Sequence, residues 1–344
     1  MRFFNIFLLV LFFAIGSNNA LADGGSTEKS QHLRSDSHAP ISIMGDHMHK
    51  KDEFMVSYRY MFMDMDGYQS GSSSSNYTDA RKNPLGGNYM TVPEEMDMKM
   101  HMIGAMYGIS DDITLMIMGS YIDNEMKVKK HMNKATKTLE SSGWGDTRFA
   151  VLKSLYHHSD LKLLASLGIS LPTGSITKKD VMFKTTEETL GYNMQLGSGT
   201  YDLLPGFTAV LLEDKYSFGA QISSEVRMGQ NSKDYALGDI YKGNIWVAIP
   251  FNEKKTSISV ASQYKYQDKI QGSHKDIKTI MSFAQDRESS GGKAIDVSVG
   301  LNHIFTDLNN LRFSIEYIMP TYNDVNSVQL DRENSVMFGL QYAY

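Results

Sequence analysis

Methionine and histidine are the residues of this sequence whose types and spacing could do chemistry. Methionine occurs 23 times, and its densest clusters lie at 44–48, 61–65, 96–102 and 116–118. Thioether sulfur is a soft ligand that favours Cu(I), and imidazole nitrogen suits copper and zinc. Packing is the competing interpretation, because methionine is an adaptable, polarizable filler of irregular interiors.

The metal interpretation ranks second to packing, because the clusters show no ligand spacing of a known metal site. Its candidates fall in a histidine-containing stretch just before the first predicted strand. They are Met44, His47, Met48 and His49.

Catalytic patterns are missing from the sequence. Neither G-x-S-x-G nor H-E-x-x-H occurs, and no histidine falls beside a serine on a predicted strand, as a nucleophile and its base would. The chain contains no cysteine, so disulfides cannot stabilise it. We therefore expect neither enzymatic activity nor a cofactor.

The first residues predict export. Arg2 gives a short basic start, an apolar run covers 3–15, and small residues end a cleavage pattern at Ala22. This layout is typical of a secretory signal peptide over residues 1–22, since the apolar run is too short to span a bilayer. An uncleaved membrane anchor is the alternative. Residues 23–53, which are polar and contain histidine and methionine, are expected to form a flexible periplasmic segment.

The net charge and the hydropathy further restrict the class of protein to which this chain can belong. A formal net charge of −5 at pH 7 argues against nucleic acid as a partner, because nucleic-acid binding calls for a basic surface. No stretch after residue 22 has the length and apolarity of a transmembrane helix. A membrane protein then has one remaining solution, a closed barrel whose backbone hydrogen bonds all run between strands.

The C-terminal segment alternates strictly between two kinds of residue. Over 335–344 every even position is Val, Phe, Leu or Tyr. Period-two alternation places one face of a strand against an apolar medium. The same pattern recurs over 216–229, 255–268, 294–305 and 310–322. A strand that ends on an aromatic residue, here Tyr344, resembles the signal read by the barrel assembly machinery.

About twelve such segments follow one another, and several exceed the five or six residues typical of soluble strands. They lie near 54–65, 96–109, 113–125, 144–157, 161–172, 197–213, 216–229, 236–251, 255–268, 294–305, 310–322 and 335–344. Short connections alternate with long polar ones at 66–95, 126–143, 173–196, 269–293 and 323–334, as in outer-membrane proteins. The predicted fold is all-β, an antiparallel transmembrane β-barrel of about twelve strands over residues 54–344, in the outer membrane of a Gram-negative bacterium.

Parity along each strand assigns the charges that face the barrel interior. They are Arg59, Arg148, Asp202, Glu225, Arg227, Asp296, Arg312 and Glu316, together with Lys162 and Lys265. One interpretation is a polar pathway that orients a permeating solute. The other is a ladder of ion pairs that stiffens the wall, and the sequence favours neither.

Parity also turns a set of methionines inward. They are Met55, Met61, Met63, Met116 and Met118. We expect them to form one apolar patch in a narrow lumen. The second strand is ambiguous, because Met98, Met100 and Met102 could face the lipid or the lumen.

Several turn motifs resemble a known family. They are SGWGD at 142–146, SLPTGS at 170–175 and LGSGTYDLLPG at 196–206, with HAPI at 38–41, MGDHMHKK at 44–51 and YRYM at 58–61. The chain resembles the MetA-pathway of phenol degradation family of outer-membrane transporters, in a methionine-rich branch, over residues 38 to 210. The resemblance implies a transport barrel and, by the family's name, uptake of aromatic compounds.

The combined interpretation is a channel or transporter for a small solute that is partly apolar or aromatic. Its expected partners are outer-membrane lipid, the solute and the barrel assembly machinery, with the oligomeric state left open. A barrel that binds or transports a soft metal such as copper through Met and His is the first alternative. A structural surface barrel without a transport role is the second.

Overall fold

The computed structural model describes residues 34–158, 160–183 and 186–344 of the 344-residue chain, so the predicted signal peptide lies outside the described residues. Eleven long strand elements build its main sheet. They are β1 (Phe54–Gly71), β2 (Thr91–Ser110), β3 (Ile113–Lys130), β4 (Thr147–His158), β5 (Leu161–Leu171), β6 (Asp202–Leu212), β7 (Ser217–Arg227), β8 (Ile240–Phe251), β9 (Thr256–Gln267), β10 (Gly292–Phe305) and β11 (Leu311–Ala343).

The alternation of apolar and polar residues decides which face of each strand turns outward. In β8, Trp246 and Ala248 are buried, whereas Ile245 and Ile249 expose 54% and 59% of their surface. Large apolar side chains on the outer face are the band that a membrane barrel presents to lipid. The same division runs through β2, where Met102 and Met106 are buried and Ile103 is exposed. The methionines of the second strand therefore face inward, which resolves the ambiguity in the sequence.

The sheet closes on itself. Each strand pairs antiparallel with the next one in sequence, and β11 pairs with both β10 and β1. Residues 311–325 of β11 pair with β10, and residues 325–343 pair with β1. A hydrogen bond of 3.3 Å from Asn323 Nδ2 to Asp331 Oδ1 and the positive φ of Ser327 (56°) show that this 33-residue element reverses in between. The wall thus has twelve passes and no free edge, which confirms the closed antiparallel barrel.

The predicted loop at 323–334 is wrong in its extent. Pairing with β1 continues through Val328, Gln329 and Leu330, so only a tight turn separates the last two passes. The polar composition of this stretch suggested a loop. The interior of a membrane barrel is itself polar, however, so the residues of a strand that face the lumen can also be polar.

The two ends of the barrel differ, as predicted. Connections of two to five residues join β2 to β3, β4 to β5, β6 to β7, β8 to β9 and β10 to β11 at the short-turn end. Longer segments occupy the long-loop end and carry the remaining elements. These are strands Ser73–Ser75, Thr136–Trp144, Lys179–Val181, Glu187–Thr189, Tyr235–Ala236 and Gln271–Gly272, the α-helix Tyr77–Ala80, and 3-10 turns at Tyr192–Met194, Thr279–Met281, Phe283–Gln285 and Arg287–Ser289. Two further 3-10 turns lie elsewhere, at Ser35–Ser37 and Thr306–Leu308.

The long loops pack into a core of their own. Tyr89, Leu190, Met194 and Phe283 come from three different loops and are almost fully buried together. The Tyr89 hydroxyl donates a hydrogen bond of 2.7 Å to Asp286 Oδ2. These loops therefore form an ordered cap at the long-loop end. No helix within the described ranges is long and apolar enough to cross a membrane.

Three of the turn motifs meet at one carboxylate, that of Asp146. Its Oδ1 accepts from Gly174 N at 2.8 Å, and its Oδ2 accepts from Ser198 N at 2.7 Å. A Cβ at Gly197 would lie 2.6 Å from Asp146 Oδ1, so the close approach requires glycine there. The family motifs thus encode loop anchoring at the rim of the barrel.

The segment predicted to be flexible covers residues 23–53, of which 23–33 lie outside the described residues, and the described part, 34–53, packs into the barrel. Ala39, Ile41 and Ile43 are buried, as are Asp46 and His49. Gly339 leaves room for this segment, since a Cβ there would lie 3.1 Å from the Ile41 side chain. The polar composition was misleading because the barrel interior is itself polar and can pair with such a chain. We call residues 34–53 the plug.

Candidate functional site

The plug lies across the short-turn end of the barrel. Ser35 N donates to Lys254 O at 2.9 Å, next to the turn between β8 and β9. At the other end of the segment, His49 N donates to Thr114 Oγ1 at 2.9 Å and Asp52 N donates to Gly108 O at 2.9 Å. Its two ends are therefore fixed to different sides of the same barrel mouth.

Polar residues of the wall hold the middle of the plug. The Glu316 carboxylate accepts from Ser42 N at 2.8 Å and from Ser42 Oγ at 3.0 Å. Gln221 Nε2 donates to Met44 O at 2.8 Å, and Arg312 Nη2 donates to Ala39 O at 3.3 Å. Buried polar groups require such partners, so the wall and the plug satisfy each other's hydrogen bonds.

The plug carries a compact group of possible metal ligands. Ligand atoms of His38, Asp46 and His47 all lie within 4.8 Å of one another. His47 Nδ1 is 2.9 Å from Asp46 Oδ1, and the His47 and His49 rings lie 5.1 Å apart. Of the sequence candidates, His47 belongs to the group, whereas Met48 packs against the apolar cluster of Met55, Met106 and Leu152.

The pKa shifts of Asp46 and His47 favour the protonation states in which these side chains can bind a metal ion. Burial would raise the pKa of the Asp46 carboxyl, but the neighbouring His47 and Arg312 hold that pKa below its ordinary range. Burial lowers the pKa of His47, which keeps the imidazole neutral near pH 7. A neutral imidazole beside a carboxylate is the form in which both side chains coordinate metals.

A chamber of about 560 Å³ lies inside the barrel. Plug residues 41–44 bound it toward the short-turn end, and loop residues 195–198 bound it toward the long loops. Wall residues from many strands complete the lining. A smaller cavity of about 130 Å³ adjoins it, lined in part by Met116 and Met118.

Methionines pave one side of the chamber. Met61 pairs across the strands with Met100 on one side and with Met337 on the other, and Met63 pairs with Met98. This register stacks their side chains as neighbours on the lumen face. Eight methionines line the chamber. Met44 belongs to the plug, and the other seven belong to the barrel strands: Met61, Met63, Met98, Met100, Met102, Met118 and Met337. We call these seven residues the methionine wall.

Ion pairs line other parts of the chamber. Arg227 bonds to both Asp202 and Glu225, and Arg148 Nη2 donates to Glu225 at 3.0 Å. Arg332 holds Asp296 through two bonds of 2.6 and 3.1 Å. Such bidentate pairing fixes the side chains as well as neutralising them. Two lysines, Lys242 and Lys265, line the chamber next to these pairs.

The charged residues predicted to face inward fall into two groups, those that line the chamber and those that are buried behind its lining. Seven of them line the chamber: Arg59, Arg148, Glu225, Arg227, Lys265, Asp296 and Glu316. Asp202 is fully buried behind the lining and anchors Arg227. Arg312 is buried too, and it binds Gln341, Asn302 and the plug. Both side chains point inward, but neither is among the residues that line the chamber, because parity gives the direction of a side chain and not its depth.

The predicted methionine patch is split in the same way. Met61, Met63 and Met118 line the chamber, Met116 lines the smaller cavity, and Met55 is buried against Met106 and Leu152. Three further lining residues were not predicted from the sequence: Lys242, Arg332 and Met337. Lys242 shares its parity with the buried Asn244 and Trp246, a signal that could have placed it inside.

Sequence and structure comparisons relate the chain to known proteins. The sequence model of the family described as "Putative MetA-pathway of phenol degradation" matches residues 101–279. Among curated protein sequences, none matches significantly. The COG4313 outer membrane channel from Pseudomonas putida F1 is similar in structure, with a TM-score of 0.57 and 10% identity over 88% of this chain and 98% of that one. The transport unit of the autotransporter AIDA-I from Escherichia coli follows, with a TM-score of 0.48 and 11% identity over 93% and 98%. The Pseudomonas putida toluene transporter TodX has a TM-score of 0.40 and 10% identity over 92% and 93%.

Proposed function

Since this chain belongs to the family described as "Putative MetA-pathway of phenol degradation" and folds as a closed barrel like Gram-negative outer-membrane proteins, we propose that it is an outer-membrane channel for small, partly apolar solutes. The family's description refers to phenol degradation, and the similar barrel from Pseudomonas putida F1 is described as a channel. Aromatic compounds are accordingly the first solutes to test.

The chamber is the observation that carries this proposal. Its volume of about 560 Å³ falls within the range of roughly 300–1,000 Å³ typical of small-molecule sites. The methionine wall offers an apolar, polarizable surface that adapts to different shapes. A solute with an aromatic body would bury its faces against this surface and leave the ion pairs elsewhere in the chamber undisturbed.

Passage through the chamber requires the plug to move. The plug crosses the short-turn end, and the packed loops cover the other end. The middle of the plug is held by hydrogen bonds to the side chains of Glu316, Gln221 and Arg312. Each such bond contributes only about 0.5–1.5 kcal/mol, or about 1.5–3 kcal/mol where a charged group takes part, so the plug can be released stepwise.

Block of the ion current by benzyl alcohol tests the methionine wall. The wild type is expected to conduct ions in planar bilayers, and benzyl alcohol should reduce the current by occupying the chamber. Replacing Met61, Met63, Met100 and Met118 with alanine should raise the half-blocking concentration by about tenfold or more, because each buried CH₂ group contributes about 0.8 kcal/mol.

A matched control removes the same kind of side chain elsewhere. Met90, Met132 and Met228 are exposed, and their replacement with alanine should leave the block unchanged. A protein that conducts but shows no block by benzyl alcohol would contradict the proposed solute class. A folded barrel without any conductance would favour the structural role instead.

Metal binding by the plug is a second candidate function, and the grouping of His38, Asp46 and His47 favours it. Two imidazoles and one carboxylate form a donor set typical of zinc or copper(II), with a further position left for water or another ligand. A bound ion would cross-link residues eight and nine apart in the plug, and so stiffen the segment that closes the barrel.

Calorimetric titration of the refolded barrel with zinc tests this second function. The variant His47→Ala should weaken zinc binding by at least about tenfold, since even an outer partner of a ligand contributes that much. His303→Ala is the control, because His303 hydrogen bonds to Thr256 on the wall and takes no part in the group. Equal zinc affinity in all three proteins would exclude the plug as the binding site.

A further inference from the structure

Two lysines face each other on the charged side of the chamber. Lys242 on β8 is the direct cross-strand partner of Lys265 on β9. Both side chains line the chamber, and Lys242 is accessible within it. Directly opposed residues on neighbouring strands place their Cβ atoms about 4.5–5.5 Å apart, so the two ammonium groups can reach the same small ligand.

Neither lysine forms an ion pair within 4 Å among the described residues, although Glu225 and Asp296 are near enough to attract both. The two closest carboxylates in the register are already engaged. Glu225 binds Arg148 and Arg227, and Asp296 is held by Arg332. Within the described ranges, no hydrogen bond or ion pair involves the Nζ atom of Lys242 or Lys265.

The chamber as a whole has an excess of positive charge. Its lining contains six cationic side chains: Arg59, Arg148, Arg227, Lys242, Lys265 and Arg332. It contains four carboxylates: Asp146, Glu225, Asp296 and Glu316. Asp146 and Glu316 accept hydrogen bonds from the loops and the plug. Lys242, Lys265 and Arg59 carry the excess, since none of the three forms an ion pair among the described residues, and the two lysines are the cations that face each other.

Like charges directly opposite each other destabilise a strand pair. The neighbouring cross-strand pair, Asn244 and Gln263, is neutral and joined by a hydrogen bond. The fold of the wall therefore does not itself require two lysines at this position. A small anion between the two ammonium groups would turn this repulsion into two charge-assisted hydrogen bonds.

The methionine wall lies across the lumen from the lysines. It is built mainly on β1, β2 and β3, and β8 is six places from β2 in a wall of twelve passes. An occupant of the chamber thus meets an apolar surface on one side and unpaired cations on the other. We propose that Lys242 and Lys265 form an anion-binding subsite for the carboxylate of a small solute whose apolar body contacts the methionine wall. This inference rests on the proposed channel function and narrows its solute to amphipathic monocarboxylates.

Two probes of similar size separate the inference from the function it rests on. Benzoate has the anionic group, and benzyl alcohol lacks it. In planar bilayers, benzoate should block the ion current of the wild type at a concentration at least about tenfold lower than benzyl alcohol, since hydrogen bonds to charged groups add roughly 1.5–3 kcal/mol. The double variant Lys242→Gln/Lys265→Gln should lose this preference and retain its block by benzyl alcohol. Under a KCl gradient, its reversal potential should shift toward cation selectivity.

Two controls separate charge from folding. Lys242→Arg/Lys265→Arg retains both charges and should keep the preference for benzoate. Lys127→Gln/Lys269→Gln removes two charges from exposed ion pairs outside the chamber and should behave as the wild type.

Block by benzyl alcohol without a preference for benzoate in the wild type would overturn the anion subsite and leave the channel function standing. A double Gln variant that still prefers benzoate would overturn it too. If neither probe blocks the wild type, the subsite and the proposed solute class fail together.

Discussion

Deleting residues 34–50 is expected to raise the single-channel conductance in planar bilayers by at least about twofold, because twelve strands enclose a wider interior than the eight that side chains alone can fill, and the plug occupies part of that interior. The deleted segment includes Ile41 and Ile43, which are buried in the lumen, and it bounds the chamber at the short-turn end. Its loss also frees Glu316 and Arg312, whose charges would then line the open path.

A milder pair of changes should act in the same direction. Glu316→Ala removes both hydrogen bonds to Ser42, and Gln221→Ala removes the one to Met44 O. Loosening the plug without deleting it should produce more frequent openings to the larger conductance level. The two variants keep the chain length, so a change in conductance cannot be attributed to truncation.

Deletion of residues 131–135 is the control for the plug deletion, because that segment joins two strands at the long-loop end and most of it is exposed. Its conductance should match that of the wild type. Heat-dependent gel mobility verifies that each variant still forms a closed barrel. An assembled plug-deleted barrel with wild-type conductance would show that the plug does not limit the path.

Val299→Arg is expected to destabilise the barrel in lipid by about 2–4 kcal/mol, the cost of a cationic side chain at the bilayer midplane. Val299 is exposed on the outer face of β10 and pairs with Val260 and Tyr317, which are exposed as well. An arginine here has no carboxylate beside it and must reach the headgroups or draw water into the apolar band. Urea titration of the protein folded in liposomes, followed by tryptophan fluorescence, measures the change in unfolding free energy.

The matched control places the same residue on the lumen face. Gln263 lies across the strands from Asp296 and lines the chamber. Gln263→Arg sets the new charge in a polar interior opposite a carboxylate, so it should cost much less than Val299→Arg. Equal destabilisation by the two variants would contradict the assignment of inner and outer faces.

The sequence by itself determined the barrel and the orientation of its strands. Alternation with period two requires one polar and one apolar face, and a chain without apolar helices can place such strands in a membrane only by closing the sheet. Residues such as Val299 and Ile258 could be assigned to the outer face by parity alone. The turn motifs around Asp146 were equally local, because glycine and aspartate report backbone geometry directly.

The plug was decided by tertiary structure only. Ser42 meets Glu316 at a separation of 274 residues, and Met44 meets Gln221 at 177. No local pattern encodes such contacts, and a short polar segment looks the same whether water or a polar lumen surrounds it. For this reason nothing in the sequence indicated that residues 34–53 pack inside the lumen.

The composition of the chamber also depended on tertiary structure. Parity states that Arg312 and Arg227 both point inward, but only the closed barrel shows that one holds the plug and the other lines the chamber. It likewise takes the register between β8 and β9 to set Lys242 against Lys265, and the ion pairs of Glu225 and Asp296 to leave them without partners. The face of the strand on which a side chain lies is a local property of the chain. The depth of that side chain, its pairing partners and the net charge of a cavity depend on all the strands together.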